Sequence, residues 1–167
     1  MIYYITGGER SGKSSYAQQL AESLSNKPYY LATSRIWDED FKKRVERHQN
    51  DRDERWTTIE EETEISKVIP PNAVVVIDCV TLWLTNLYFD FENNVEKALA
   101  FATNEIENLS KLNSEIIIIS NEIGMGGHAQ NHIARKFTEL QGWTNQRIAN
   151  KADKATFMVS GLPLKLK

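Results

Sequence analysis

Two hydrophobic patterns alternate along the chain. Short apolar runs predict strands, and those at 73–77 and 115–120 are continuous rather than alternating, as in parallel strands covered on both faces. Longer stretches with apolar residues three and four apart predict helices. The predicted strands lie at 2–6, 29–32, 56–59, 73–77, 115–120, 155–160 and 164–166, and the predicted helices at 14–24, 38–55, 81–87, 95–112 and 129–151.

This order of elements predicts an α/β fold. Strands that alternate with helices favour a three-layer sandwich, in which a mostly parallel sheet carries helices on both faces. The helix at 14–24 is expected to bury Tyr16, Leu20 and Leu24, and the helix at 129–151 is expected to break near Gly142. No linker or repeat interrupts the pattern, so we expect residues 1–167 to form a single domain.

The first strand runs into a phosphate-binding sequence. Residues 7–14 read Gly-Gly-Glu-Arg-Ser-Gly-Lys-Ser and fit the pattern G-x-x-x-x-G-K-[ST]. Glycines allow a tight loop whose N–H groups face a phosphate, and the following helix N-terminus adds partial positive charge. Lys13 is expected to reach the β- and γ-phosphates of a nucleoside triphosphate, and Ser14 to hold Mg²⁺. A chance match would rarely bring both the strand and the helix with it, so the chain is expected to bind a nucleoside triphosphate.

Polar residues at two other strand ends extend this site. Thr33, Ser34 and Arg35 follow the second predicted strand, and Asp78 ends the strand at 73–77. Ligands of open α/β sheets bind at the carboxyl ends of the strands, which favours a Mg²⁺ or substrate contact for Asp78 over a simple helix cap. The glycine-rich turn at 121–127 is either a close approach to a ligand or a loose connection.

A histidine stands between arginines on the predicted helix at 38–55. Arg44 lies one turn before His48, and Arg52 lies one turn after it. The pattern alone favours a structural histidine over a functional one.

Composition excludes some classes of protein. The net charge of −3 gives no broad basic surface for nucleic acid. One cysteine, Cys79, permits no internal disulfide and reads as a buried reduced thiol. No apolar run is long enough to span a bilayer, and no leader precedes the phosphate loop, so a cytoplasmic enzyme is expected.

A second nucleotide motif is interpreted as a coincidence. Residues 150–153 read Asn-Lys-Ala-Asp and match the N-K-x-D guanine motif of regulatory GTPases. In GTPases that motif follows a strand, whereas here it ends a predicted helix. The D-x-x-G switch motif also fails, because Thr81 stands three residues after Asp78.

A set of blocks along the chain resembles one enzyme family. The phosphate loop, Ala-Thr-Ser at 32–34, Arg44 to His48, Trp56 to Glu60 and Ser-Gly-Leu-Pro at 160–163 belong to the set. The more specific blocks are Asp-Cys-Val-Thr-Leu-Trp-Leu-Thr-Asn at 78–86 and Asn-Glu-Ile-Gly-Met-Gly at 121–126. Together they resemble the bifunctional adenosylcobinamide kinase / adenosylcobinamide-phosphate guanylyltransferases of cobalamin biosynthesis.

The resemblance implies a RecA-like P-loop fold, a homotrimer and two reactions. The family phosphorylates adenosylcobinamide with ATP or GTP, and then transfers GMP from GTP onto adenosylcobinamide phosphate through a guanylylated histidine. His48 falls at the position of that histidine, and Lys13 is the other residue implied in catalysis. The nucleotide contacts that carry over are Gly7, Gly8, Glu9, Arg10, Ser11, Gly12, Lys13, Ser14, Thr33, Ser34, Arg35, Gln49, Asn50, Asp51, Arg52, Glu60 and Asp78, with Ser14 and Asp78 also implied as Mg²⁺ ligands.

Two alternatives stay open on the sequence. A P-loop kinase that only phosphorylates a small molecule would need Lys13, Ser14 and Asp78 but not His48. The second alternative is a regulatory module that binds a nucleotide without transferring any group. The missing GTPase switch motif argues against it.

Overall fold

A seven-stranded sheet runs through the molecule and fixes the position of the phosphate loop. The computed structural model describes residues 1–35 and 53–167. Its strands are β1 (Ile2–Gly7), β2 (Tyr29–Ala32), β3 (Thr57–Glu60), β4 (Val74–Asp78), β5 (Glu115–Asn121), β6 (Lys154–Val159) and β7 (Leu162–Lys165). Its helices are α1 (Lys13–Leu24), a 3-10 turn (Ile65–Val68), α2 (Val80–Asp90), α3 (Val95–Leu109) and α4 (His132–Lys151).

The strand order is β3-β2-β4-β5-β1-β6-β7. Every neighbouring pair is parallel except β6 and β7, which form an antiparallel hairpin. The carboxyl ends of β1, β4 and β5 therefore meet at one edge of the sheet, and the phosphate loop follows β1 at that edge. This arrangement confirms the predicted α/β fold with a mostly parallel sheet.

Helices cover both faces of the sheet. One face packs against α2, α3 and α4 around the fully buried side chains Trp83 and Leu84. The other face of β1, β4 and β5 packs against Ala17 and Ala21 of α1. The continuous apolar strands at 73–77 and 115–120 are buried for this reason, as the sequence predicts.

Two helix predictions were wrong in detail. In α1 the small side chains of Ala17 and Ala21 are fully buried, whereas Leu24 is 40% exposed. Tyr16 and Leu20 are half-buried against the same cluster, so the expected face is right for these two residues and wrong for Leu24. The expected break at Gly142 is absent, because α4 runs without interruption from His132 to Lys151.

No helix in the two described stretches is both long enough and apolar enough to cross a membrane.

Candidate nucleotide-binding site

The phosphate loop joins β1 to α1 as the sequence predicts. Gly12 caps α1 with a left-handed backbone (φ 94°), and Lys13 is the first helical residue. A Cβ on Gly7 would lie 2.5 Å from the carbonyl oxygen of Met158 and 2.7 Å from Ser11 Oγ, so a side chain has no room there. Glycine is therefore required at 7 by close contact and at 12 by conformation.

The turn between β6 and β7 supports the loop from the side. The N–H of Gly161 donates to the carbonyl oxygen of Ser11 at 3.0 Å. The Gly161 Cα would lie 3.1 Å from a Cβ on Gly12, so the two backbones are packed closely. The C-terminal hairpin thus holds the loop against the sheet.

Lys13 and Ser14 lie at the base of the cleft. Lys13 Nζ donates to the carbonyl oxygen of Gly8 at 2.6 Å, and only 7% of the residue is exposed. Burial lowers the pKa of the Lys13 ammonium group, while the nearby carboxylates of Asp78 and Glu9 act in the opposite direction. A cation held inside the loop in this way is placed to meet phosphate oxygens.

Asp78 at the end of β4 faces the loop. Its Oδ2 accepts a hydrogen bond from Ser14 Oγ at 3.3 Å and another from Tyr30 OH at 3.1 Å. A hydroxyl and a carboxylate side by side are hard oxygen donors of the kind that Mg²⁺ takes in phosphate sites. No group of three or more His, Cys, Asp or Glu side chains in residues 1–35 and 53–167 is arranged to hold a metal ion. Two protein ligands beside bound phosphates are a common arrangement for Mg²⁺, so the residues fit this ion.

These residues surround a cleft of about 660 Å³ at the carboxyl edge of the sheet, which we call the main cleft because it contains the phosphate loop. Its size is in the range of pockets that hold small molecules and cofactors. The cleft is lined by Glu9, Arg10, Ser11, Gly12, Lys13, Ser14, Ser15, Asp78, Cys79, Ile119, Asn121, Glu122 and Ile123. Of the predicted loop residues, Glu9 to Ser14 are therefore brought together with Asp78 at one cleft.

The residues after β2 occupy different positions. Thr33 is fully buried, and its hydroxyl donates to the carbonyl oxygen of Cys79 at 2.8 Å. The Arg35 guanidinium donates to Glu62 at 2.6 Å and, through two nitrogens, to Asp90 at 2.9 and 3.1 Å. These carboxylates raise the pKa of Arg35, and Arg35 lowers the pKa of Asp90.

A second cleft of about 710 Å³ opens at the ends of β2 and β3. Ser34, Arg35 and Glu60 line this cleft together with Glu61, Glu62 and Asp90, so it is predominantly acidic. Most of the predicted nucleotide contacts in the described residues are thus divided between two clefts at one sheet edge, whereas Gly7, Gly8 and Thr33 line neither of them. Predicted His48, Gln49, Asn50, Asp51 and Arg52, and the helix predicted at 38–55 up to Arg52, lie outside the described residues.

Three residues at the main cleft were missed as site residues. Tyr30 holds Asp78, Gly161 holds the loop, and Glu122 lines the cleft. Glu122 could have been predicted as a site residue, since it directly follows the buried strand β5 just as Asp78 ends β4. Tyr30 and Gly161 depend on the strand order, which the sequence pattern does not contain.

The guanine-like motif at 150–153 has a structural role. Asp153 Oδ2 accepts a hydrogen bond from the backbone N–H of Ile2 at 2.7 Å, and Asp153 N donates to the Ile2 carbonyl at 2.8 Å. Asp153 thereby joins the end of α4 to the amino end of β1, opposite to the edge that carries the phosphate loop. The interpretation of this motif as a coincidence agrees with that position.

Comparison with known proteins decides the family. Residues 3–166 match the family model described as cobinamide kinase / cobinamide phosphate guanyltransferase. The chain belongs to this family.

Curated relatives align along the whole chain. It is 35% identical over 182 aligned positions to the bifunctional adenosylcobalamin biosynthesis protein CobU of Escherichia coli (strain K12), with 100% of both chains covered. It is 34% identical to the corresponding protein CobP of Pseudomonas aeruginosa, covering 98% of this chain and 95% of the relative. The CobU protein of Salmonella typhimurium (strain LT2) is 33% identical, again over 100% of both chains.

Solved structures of low sequence identity share the fold. A KaiC-like protein of Pyrococcus horikoshii OT3 superposes with a TM-score of 0.50 at 14% identity, over 93% of this chain and 69% of the other. A solved ATPase domain also gives 0.50, at 11% identity, over 93% of this chain and 68% of that domain. The fold is that of the RecA-like P-loop NTPases, as the family resemblance implies.

Proposed function

We propose that this chain catalyses two successive reactions of cobalamin biosynthesis. It phosphorylates adenosylcobinamide with ATP or GTP, and it then transfers GMP from GTP to adenosylcobinamide phosphate and releases pyrophosphate. Membership of the cobinamide kinase / cobinamide phosphate guanyltransferase family over residues 3–166 supports the proposal. The observation that carries it is the cleft in which Lys13, Ser14 and Asp78 converge on the phosphate loop.

In the kinase reaction the loop holds the triphosphate. The hydroxyl oxygen of the substrate bonds to the γ-phosphorus, and the bond from this phosphorus to the bridging β-oxygen breaks. Charge grows on that bridging oxygen, so Lys13 Nζ exchanges its present bond to Gly8 for phosphate oxygens and stabilises the leaving diphosphate. The backbone N–H groups of residues 8–12 orient the same phosphates.

Ser14 and Asp78 are the residues proposed to hold Mg²⁺. The ion would neutralise phosphate charge and orient the triphosphate when it is bound. Tyr30 keeps Asp78 in place through the 3.1 Å hydrogen bond, so the carboxylate stays turned toward Ser14. Asp78 in this role orients the nucleotide rather than accepting a proton from the substrate.

In the second reaction we propose His48 as the nucleophile, as the family resemblance implies. An imidazole nitrogen bonds to the α-phosphorus of GTP, and pyrophosphate leaves with the electrons of the broken P–O bond. The phosphate of adenosylcobinamide phosphate then attacks the same phosphorus and frees the imidazole. Arg44 and Arg52 are one turn from His48 in the sequence and are candidates to offset the charge on the α-phosphate.

The acidic second cleft is the proposed place for the guanine base. A carboxylate such as Glu60 accepts from the ring N–H and the amino group of guanine, and adenine offers no such donor pair. Glu60 and Ser34 line that cleft at the same sheet edge as the phosphate loop. This assignment accounts for nucleotide contacts predicted at both clefts.

Labelling with GTP tests the transferase reaction. Incubation with GTP labelled at the α-phosphate should give a protein adduct that is stable to base and labile to acid, as a phosphoramidate is. His48→Ala should abolish the adduct and GMP transfer but leave the phosphorylation of adenosylcobinamide in place. An adduct of unchanged yield in His48→Ala would overturn the histidine assignment.

The shared phosphate site is tested separately. Lys13→Ala should lower both activities at least about 100-fold, since it removes charge stabilisation from both leaving groups. Lys67→Ala removes an exposed lysine that is paired with Glu64 and serves as a matched control with unchanged rates. Full kinase activity in Lys13→Ala would show that the loop is not the phosphate site.

We also propose that the enzyme works in the cytoplasm, where ATP and GTP are made, and as a homotrimer, as the resemblance implies. The edge strand β7 supports self-association, since Leu162 and Leu164 are 71% and 56% exposed there. Apolar side chains on an open sheet edge are commonly covered by a partner. Sedimentation equilibrium tests this point, because a monomer at micromolar concentration would contradict it.

A further inference from the structure

Glu122 is a carboxylate in the main cleft to which no role has been given. It follows β5 directly, and β5 lies between β4 and β1 in the sheet. Its backbone N–H donates to the carbonyl oxygen of Gly7 at 2.9 Å, which ties it to the first residue of the phosphate loop. Glu122 therefore keeps a fixed position relative to a triphosphate bound in that loop.

The Glu122 side chain is held by its own turn. Its Oε1 accepts from the backbone N–H of Gly124 at 2.6 Å and from that of Met125 at 3.1 Å. Within the described residues, Oε2 has no hydrogen-bond donor. One oxygen is thus used to orient the carboxylate, and the other is left for a ligand in the cleft.

The end of β5, which precedes Glu122, is hydrogen-bonded to side chains of α4. Ser120 Oγ donates to Asn145 Oδ1 at 2.6 Å, and Asn145 Nδ2 donates to the Asn121 carbonyl at 3.3 Å. Gln141 Nε2 donates to Ser120 Oγ at 2.9 Å, and the side chains of Ser120, Gln141 and Asn145 are at least nine-tenths buried. These hydrogen bonds attach the end of β5 to α4.

The other two carboxylates in the cleft are less suited to meet the acceptor hydroxyl. Asp78 already accepts from Ser14 and Tyr30 and is the proposed Mg²⁺ ligand. Glu9 is an exposed residue within the loop itself. Of the carboxylates that line the cleft in the described residues, only Glu122 belongs to neither the loop nor the proposed metal site.

We propose that Glu122 is the catalytic base of the kinase reaction. It accepts the proton of the substrate hydroxyl while the oxygen bonds to the γ-phosphorus and the bond to the β-oxygen breaks. The proton passes to Oε2 and later to solvent, and the nucleoside diphosphate leaves. This inference rests on the proposed function, and it assigns Glu122 to the first reaction only, because GMP transfer to a histidine involves no hydroxyl.

Glu122→Gln tests the assignment with the least disturbance. The amide oxygen of glutamine can still accept from Gly124 and Met125, but the side chain no longer accepts a proton. The measurements are kcat and KM for adenosylcobinamide phosphorylation, the Kd of a non-hydrolysable ATP analogue, and protein labelling by α-labelled GTP. Glu107→Gln is the matched control, since Glu107 forms an exposed ion pair with Lys151 on the α3 and α4 surface.

The expected result separates the two reactions. Glu122→Gln should lower kcat of phosphorylation about 100-fold or more, with the Kd of the analogue and the GTP labelling unchanged. A kcat close to that of the wild-type chain would overturn the assignment, and so would an equal loss of labelling and phosphorylation, which would indicate a structural role. If the wild-type chain itself fails to phosphorylate adenosylcobinamide, the proposed function fails instead, so the two failures are distinguishable.

Discussion

At the level of single residues, what could be predicted was what depends on local sequence. Gly7, Gly12, Lys13 and Ser14 are constrained by one short loop, so the motif alone predicted their arrangement. Tyr30 could not be predicted as a partner of Asp78, because the contact exists only when β2 lies beside β4. Sequence pattern gives the strands but not their neighbours.

The single cysteine is shielded although it borders the cleft. Cys79 is 7% exposed, and burial raises the pKa of its thiol to about 12. Only the thiolate reacts with alkylating reagents, and a raised pKa reduces the thiolate fraction at every pH below it.

We therefore expect alkylation of Cys79 at about pH 8 to be at least about 100-fold slower in the folded chain than in denaturant. The rate should rise with pH well beyond the point at which an ordinary thiol has already ionised. The denatured chain is the control for reagent quality. Equal rates in both states would show that the thiol is open to solvent and ionises normally.

At the level of elements, two glycines differ in the space that surrounds them. Gly7 ends β1 against Met158 and Ser11, while Gly142 lies in the middle of α4 with no atom within 4 Å of an added Cβ. The sequence predicted the first as a loop glycine but also predicted a helix break at the second. A lone glycine lowers helix propensity without ending a helix that packs well.

Gly7→Ala should lower the free energy of unfolding by about 2 kcal/mol or more, because the new methyl group overlaps backbone. Gly142→Ala should raise it by about 0.5–1 kcal/mol, because alanine favours the helix and fits the open space. Urea unfolding of both variants measures the difference. Equal stability of the two would contradict the packing seen around Gly7.

The end of α4 is attached to β1 through Asp153. Asp153→Ala should lower the free energy of unfolding by about 1–2 kcal/mol, because the Ile2 N–H loses its charged acceptor. The relative use of ATP and GTP should not change, since Asp153 lies at the opposite edge of the sheet. Asn150→Ala, in the same tetrapeptide, is the control with little change in stability. A shift in nucleotide preference in Asp153→Ala would restore the guanine-reading interpretation.

At the level of the whole molecule, the site is a product of strand order. The cleft needs the ends of β1, β4 and β5 side by side, and these strands come from the first, middle and later parts of the chain. The fold class could be predicted from alternating elements. The order of the strands could not be predicted, and neither could the contributions of Tyr30 and of the C-terminal hairpin, which depend on that order.

Because the cleft belongs to the folded sheet, a nucleotide should stabilise the whole chain. At a ligand concentration of about 100 times Kd the gain is about 2.7 kcal/mol, which corresponds to a Tm increase of about 5–10 °C for a domain of this size. Thermal unfolding with and without MgATP at one protein concentration measures the shift. Lys13→Ala should lose most of it, while Lys67→Ala should keep it; an equal shift in both variants would place the ligand elsewhere.

The contact between Gly161 and Ser11 has a consequence for the order in which the parts of the site form during synthesis. During synthesis, the residues that cradle the phosphates precede the hairpin that supports them by most of the described residues. Closing so long a loop is slow and entropically costly, so the cradle is completed late. A nascent chain therefore carries its nucleotide motif before the hairpin that supports the loop has been made.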